Sequence, residues 1–375
     1  MKNTVSKAKA FLKARHQQVR DAMKKMGLDA LLLTHTPDVC YLTDFTGDDT
    51  FALITDKDIY LISDFRYQEQ IELECGWVKL TLRDGKISDA VAKLLAQHKL
   101  PKVGFEANYT TVGQLDALCS SCKALKIQTP ELLPLDDLLG NIRKVKDDNE
   151  IDLIRKSAAL AEEAFTAVRE MIRPGLTENH IAGLLVSELR SRGAMMESFP
   201  PIVATGAHSS LPHYRPNDSP ILSDAPLLID WGALFKGYCS DITRTLLIGR
   251  IDPKIREIYK VCYAAQQEAL RFMRPGVTTI EADSIARDVI SKAGYGDQFG
   301  HGLGHGIGRE IHEKPTLRKT GEPDELRPGM IVTVEPGIYI KGLGGVRIED
   351  DVLITHSGCE VLTSLESTYE ASHIE

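Results

Sequence analysis

The sequence predicts an α+β chain in two parts, a smaller N-terminal α/β domain over residues 1–140 and a larger C-terminal domain over 145–375. Three observations lead there. Short apolar runs alternate with helically spaced apolar residues through the first part. A charged stretch, Arg143-Lys-Val-Lys-Asp-Asp-Asn-Glu150, then interrupts the pattern. Beyond it, one unit of helix, helix and acidic hairpin is used twice, giving a duplicated ααββ-type repeat.

In the first part, Ala30-Leu-Leu-Leu-Thr34 is a short unbroken apolar run and reads as a buried strand. Phe51–Thr55 and Ile59–Ser63 flank Asp56-Lys-Asp58 and read as a hairpin. Ile87, Val91, Leu94 and Leu95 give residues 88–98 helical spacing. No metal-ligand spacing is visible in this region. The extreme N-terminus, Met1 to Lys13, reads as a basic amphipathic surface helix and lacks the apolar core of a secretory signal.

In the second part, Asp147 followed by Glu150 has capping-box spacing. Ile151, Ile154, Ala158, Ala161, Phe165 and Val168 then form one apolar helix face. Arg173-Pro-Gly-Leu-Thr177 and Arg274-Pro-Gly-Val-Thr278 lie 101 residues apart. Each is expected to end one helix at Gly and cap the next with Thr. The acidic hairpins repeat at nearly the same interval, with Asp230 to Glu335 spanning 105 residues and Asp241 to Glu349 spanning 108. A two-fold repeat of this kind is expected to bring the hairpins together.

The bulk numbers exclude several classes. A net charge of −8 disfavours nucleic acid and anionic membrane as partners. No apolar run approaches the ~18 residues needed to span a bilayer. The seven cysteines are odd in number and scattered, which suits a reducing cytoplasm better than a disulfide framework. Cys119-Ser-Ser-Cys122 has redox or zinc spacing, but a single such pair is expected to be structural.

The chemistry concentrates in four carboxylates and one imidazole. Asp230 and Asp241 bracket the turn around Leu234–Gly237, and Glu335 and Glu349 bracket Lys341–Gly345. Between the hairpins runs Gly300-His-Gly-Leu-Gly-His305-Gly-Ile-Gly. Acidic groups inside apolar strands are costly unless something positive compensates them. A lone Asp would read as a strand-end salt bridge. The repeated set instead suits a pair of Mn²⁺, Co²⁺, Fe²⁺ or Zn²⁺ ions, about 3.5–4 Å apart. Such a centre ionises water and polarises a carbonyl, which is hydrolytic chemistry. The glycines around His305 serve close backbone approach; no dinucleotide or Walker A pattern is present.

Phe199-Pro-Pro-Ile-Val-Ala, Leu211-Pro-His213-Tyr-Arg-Pro216, Ser240-Asp241-Ile-Thr-Arg, the His305 segment, His312-Glu-Lys-Pro315, Val334-Glu335-Pro-Gly and Val346-Arg-Ile-Glu349-Asp350 resemble Xaa-Pro aminopeptidases and prolidases. These are metallopeptidases of the pita-bread fold. Tyr41-Leu-Thr-Asp-Phe-Thr-Gly47 and Asp64-Phe-Arg-Tyr67 are similar to their creatinase-like N-terminal domain. The resemblance implies that Asp230, Asp241, His305, Glu335 and Glu349 hold two divalent ions, Mn²⁺ foremost, with a bridging hydroxide as nucleophile. Asp241 and Glu349 would bridge the ions, Asp230 would hold one, and His305 with Glu335 the other. Glu335, His312 and His213 are the implied catalytic residues. Glu335 would shuttle the proton, and both histidines would touch substrate and donate to the gem-diolate oxygen. Arg347, Tyr339 and Thr243 would orient the carboxylates. Arg347 also reads as a plain counterion to Glu349, and His301 as structural or near the site.

The resemblance further implies proline-containing peptide substrates and a homodimer joined through the N-terminal domain. His208 departs from it, standing where these peptidases often carry Asn. Aminopeptidase and dipeptidase action stay open. A methionine aminopeptidase shares the five ligands, but the long N-terminal domain and Leu211–Pro216 argue against it. A non-catalytic pseudo-peptidase that binds protein is the third reading, and complete ligand positions disfavour it. A creatinase-type enzyme characteristically lacks the ligands.

Overall fold

The computed structural model describes residues 2–374, with side chains from Ala10 onward. The chain divides into two compact units, residues 1–142 and 143–375.

Unit one is built on a six-stranded mixed sheet. Its order is Lys79–Leu82, Ile59–Ser63, Phe51–Thr55, Ala30–Leu33, Lys102–Glu106, Glu131–Leu135. The expected hairpin forms, with Ala52 opposite Leu61. Ala30–Leu33 lies between an antiparallel and a parallel neighbour. Its unbroken apolar run is explained by cover on both faces. Leu31 and Leu33 pack with Val19, Met23, Val39 and Ile71 on one side. Ala30 and Leu32 pack with Val91, Leu95, Leu118 and Cys122 on the other. Cys119 and Cys122 are not disulfide-bonded, and Cys122 is core. The N-terminal segment is helical as part of Lys2–Met26; side chains before Ala10 lie outside the described residues.

One feature of unit one was invisible in the spacing. His35, Asp38 and Glu106 come together, with ligand-type atoms within 4.8 Å of one another. Glu106 Oε2 accepts from the amides of Thr34 (2.6 Å) and His35 (3.0 Å). Burial, then the neighbouring Asp38, pushes the Glu106 carboxyl up to about 8. A carboxyl raised in the fold favours folding below its unfolded value near 4.5. That contribution is lost as pH rises through the folded value. Unit one is therefore expected to lose stability between about pH 5 and about pH 9. Thermal unfolding of Glu106→Gln should show a flatter pH dependence than the natural chain; an identical slope shows that Glu106 does not carry it.

Unit two carries the repeat. Helix Asp148–Arg169 opens with the full capping box of Asp147 and Glu150. Thr177 caps helix Glu178–Ser191. Helix Pro253–Phe272 and helix Thr279–Lys292 follow the same plan, the second with a capping box of Thr278 and Glu281. The preceding helices stop earlier than expected, at Arg169 and Phe272 rather than at Gly. Gly175 and Gly276 instead supply the left-handed turns between them, at φ 90° and 86°. Each repeat has its own core. Phe165 stacks on Trp231 at 4.2 Å in the first, and Tyr259, Phe299 and Ile348 belong to the second.

The hairpins do meet. The Glu349 amide donates to Thr243 O at 3.1 Å, forming a β-bridge between halves. Thr245 and Arg347 exchange two further bonds, Thr245 Oγ1 to Arg347 O (3.0 Å) and Arg347 N to Thr245 Oγ1 (3.1 Å). Four acidic strand ends are thereby drawn to one place.

Candidate metal centre

In the first hairpin, Ala225–Trp231 pairs with Ile242–Ile248, and Asp230 lies opposite Thr243. Asp241 precedes the second strand and is not the cross-strand partner of Asp230, as simple bracketing of the turn implied. The chain between them makes a small tip hairpin, Ala233–Phe235 with Tyr238–Cys239, turned by Lys236 and Gly237 at φ 49° and 78°. In the second hairpin, Val334 pairs with Asp350. Glu335 and Glu349 sit one step outward, each just beyond a strand end.

His305 lies in the short strand Gly304–Gly306, between Glu313–Leu317 and Ile331–Val334. A Cβ on Gly304 would meet Thr333 O at 2.0 Å, and one on Gly306 would meet Lys314 O at 2.2 Å. Glycines flank His305 because neighbouring backbones leave no room for a side chain. His305 Nδ1 lies 3.1 Å from Gly306 O. A carbonyl only accepts, so Nδ1 holds the proton and Nε2 presents its lone pair.

That lone pair faces carboxylates. Nε2 is 3.6 Å from Asp241 Oδ2 and 3.6 Å from Glu335 Oε1. Asp241, His305 and Glu349 each offer a ligand atom within 4.8 Å of the others. Ligands about 2.1 Å from one shared cation stand roughly 3.0–3.4 Å apart, so these three residues would hold one cation between them. Asp230 is held differently. Its Oδ2 accepts from Arg347 Nη2 at 2.6 Å, and its Oδ1 is buried with no hydrogen-bond partner. Arg347 therefore pairs directly with Asp230, while its charge also bears on Glu349.

Supporting groups lock the cluster. Thr243 Oγ1 donates to Glu349 Oε2 (2.6 Å) and accepts from Arg347 Nε (3.0 Å). Arg347 Nη1 donates to Tyr339 Oη at 2.9 Å. Tyr339 in turn meets His301 Nε2 at 3.0 Å. His301 belongs to the site, with Nδ1 3.9 Å from Glu335 Oε2. The His312 ring stands edge-on to His305 at 4.3 Å between centroids. Its loop is closed by buried Glu313, which accepts from Glu310 N (3.1 Å) and pairs with Arg143 and Lys146. His213 is exposed, yet its charge bears on His312 and on His301, so it lies toward the same place.

The electrostatics describe a donor set awaiting positive charge. Burial raises Asp241 well above its ordinary value, and Glu349 and Asp230 raise it further. Glu349 is raised by burial, then by Glu335 and Asp230. Burial lifts Glu335 to about 8 against the opposing pull of Arg347. Burial and His312 lower His305 to about 4, so its imidazole is neutral and keeps a free lone pair at Nε2. Crowded carboxylates, a neutral imidazole and an orphaned carboxylate oxygen fit divalent cations.

Sequence reasoning missed an outer ring of charge. Arg244 donates to Glu349 O and pairs with Asp350 Oδ1, both at 2.6 Å. Gln266 Nε2 donates to Asp350 Oδ2 at 2.8 Å. Asp351 Oδ2 accepts from the Asp241 amide at 3.1 Å. The signal was present: Arg244 and the Asp350-Asp351 pair interrupt strands that are otherwise apolar or hydroxylic.

Comparison with known proteins agrees with this geometry. The pattern of metallopeptidase family M24 matches residues 152–356, and that of the creatinase/prolidase N-terminal domain matches 15–145. The chain is 34% identical to a Xaa-Pro dipeptidase of Pyrococcus horikoshii over 93% of its own length and 97% of the relative's. A solved Xaa-Pro dipeptidase from Bacillus anthracis superposes with a TM-score of 0.90 at 39% identity, covering 95% of this chain and 99% of that one. An X-Pro aminopeptidase from Thermotoga maritima gives 0.84 at 34% identity, with 91% and 97% covered. The duplicated unit carrying the acidic hairpins is thus a pita-bread domain, and the chain belongs to metallopeptidase family M24, with a creatinase/prolidase domain at its N-terminus.

Proposed function

We propose that this chain is a dinuclear-metal exopeptidase that cleaves the peptide bond before proline, from peptide N-termini or in Xaa-Pro dipeptides. The observation carrying this reading is the convergence of Asp241, His305, Glu335 and Glu349, with Asp230 tied to them through Arg347. In this reading Asp241 and Glu349 would hold both ions, Asp230 would hold one, and His305 with Glu335 the other. Mn²⁺ is the metal we propose, with Co²⁺, Zn²⁺ or Fe²⁺ as the alternatives the donor set admits. Bound ions supply an ionised water and a polarised carbonyl.

The residues do the rest. Glu335 takes the proton of the attacking water and delivers it to the departing nitrogen. A proline nitrogen has no hydrogen of its own in the bond, so delivery of that proton completes the leaving group. His312 and His213 donate to the oxygen on which charge develops. Arg347, held by Tyr339 and Thr243, keeps Asp230 in place.

Incubating the chain with Ala-Pro, Ala-Pro-Ala and Met-Ala-Ser, each with Mn²⁺, Co²⁺ or Zn²⁺, tests the reading. The proline peptides should be cleaved at least about 100-fold faster than Met-Ala-Ser, and their ratio separates dipeptidase from aminopeptidase. Preference for Met-Ala-Ser overturns the assignment.

A further inference from the structure

Glu178 is fully buried at the start of helix Glu178–Ser191, far along the chain from every residue assigned to chemistry. Its carboxylate gathers both ends of one segment. Oε1 accepts from Thr205 N and from His208 Nδ1, both at 2.9 Å. Oε2 accepts from Tyr214 Oη at 2.8 Å and from Asn217 N at 3.4 Å. The rings of His208 and Tyr214 stack at 4.6 Å between centroids. Asn217 Nδ2 adds a bond to Tyr214 Oη at 2.7 Å.

The segment so gathered carries His213. Its neighbour on one side, Tyr214, is tied to Glu178. Its neighbour on the other, Pro212, accepts from Arg347 Nη1 at 3.4 Å, the guanidinium that holds Asp230. Tyr214 and Tyr339 also pack on the same small cluster of Ile202, Ala204 and Leu228. An exposed imidazole on a loop would sample many positions. Here the Pro212 carbonyl is tied to Arg347 and the Tyr214 side chain to Glu178, which restrains the chain on both sides of His213.

We infer that Glu178, His208 and Tyr214 form a clamp that positions His213 over the metal centre. They are positioning residues and touch no substrate. The inference rests on the proposed function only through the role given to His213. His208 serves because Nδ1–H reaches the Oε1 of Glu178 while its ring face supports Tyr214.

A double-mutant cycle in the manganese-loaded protein tests this, run on whichever peptide of the panel the natural chain cleaves fastest. Tyr214→Phe and His208→Ala should each lower kcat/KM by roughly tenfold, the scale of a modest misplacement of a reacting group, with metal content unchanged. His208→Asn, which keeps an N–H donor, should restore most of the rate. In a His213→Ala background, Tyr214→Phe should change the rate less than twofold, because the effect passes through His213. Additive losses, or no loss in the single variants, overturn the clamp. Hydrogen exchange over residues 211–215 gives a readout independent of turnover: protection unchanged by Tyr214→Phe overturns it as well. Preference for Met-Ala-Ser would refute the proline assignment and leave the cycle readable.

Discussion

On the proposed function, Glu349→Ala and Asp241→Ala should each lose both divalent ions, and turnover of an Xaa-Pro peptide should fall by roughly 10⁴-fold or more, since the whole water-activating centre would go with them. The two side chains sit where the halves of the repeat join. Glu349 is held by the Thr243 hydroxyl, and the backbone of Asp241 is held by Asp351. Each is therefore fixed at the seam, able to serve an ion on either side. Elemental analysis decides the outcome. One ion retained at full occupancy in either variant shows that the bridging assignment is wrong.

Stability separates this loss from simple unfolding. Without a cation the clustered carboxylates repel, and burial of each one is unfavourable. Removing one should leave the metal-free protein about as stable as before, at the expense of the bond from Thr243. What disappears is the rise in Tm on adding Mn²⁺, because an ion that binds only the folded state stabilises it by mass action. A variant that melts early without metal would indicate a structural role instead.

Features written in adjacent residues were legible in the sequence. Asp147 and Thr278 form their capping boxes, and Leu31 packs in a strand buried on both faces. The duplicated spacing correctly placed the hairpins together. What could not be read was register and long-range pairing. A two-residue shift decides whether Asp230 opposes Asp241 or Thr243, and the tip hairpin that sets it depends on local twist. Gly232 marks that twist: a Cβ there would meet Ser240 O at 1.8 Å. The bond from Arg347 to Asp230 spans 117 residues, and that from His208 to Glu178 spans 30. Nothing in either local pattern names its partner. Arg347 seemed destined for Glu349 by nearness in the chain, yet Thr243 already satisfies that carboxylate from the opposite half.

His312→Ala should keep both ions and lose roughly 10²–10³-fold in kcat, the usual effect of removing one donor to a developing oxyanion. The ring stands edge-on beside His305, the proposed ligand. Burial and the nearby His213 lower its pKa, so it works as a neutral imidazole with one N–H to give. Its position comes from the loop beneath it, where Glu313 is paired with Arg143 and Lys146. Burial alone would raise that carboxyl, but the two cations hold it below its ordinary value, so the loop stays charged and closed at neutral pH. A donor that acts on the transition state lowers kcat and kcat/KM together when removed. A donor that only binds substrate raises KM and spares kcat. Kinetics of His312→Ala with Mn²⁺ content measured alongside distinguish these cases, and a kcat equal to that of the natural chain removes His312 from the reaction.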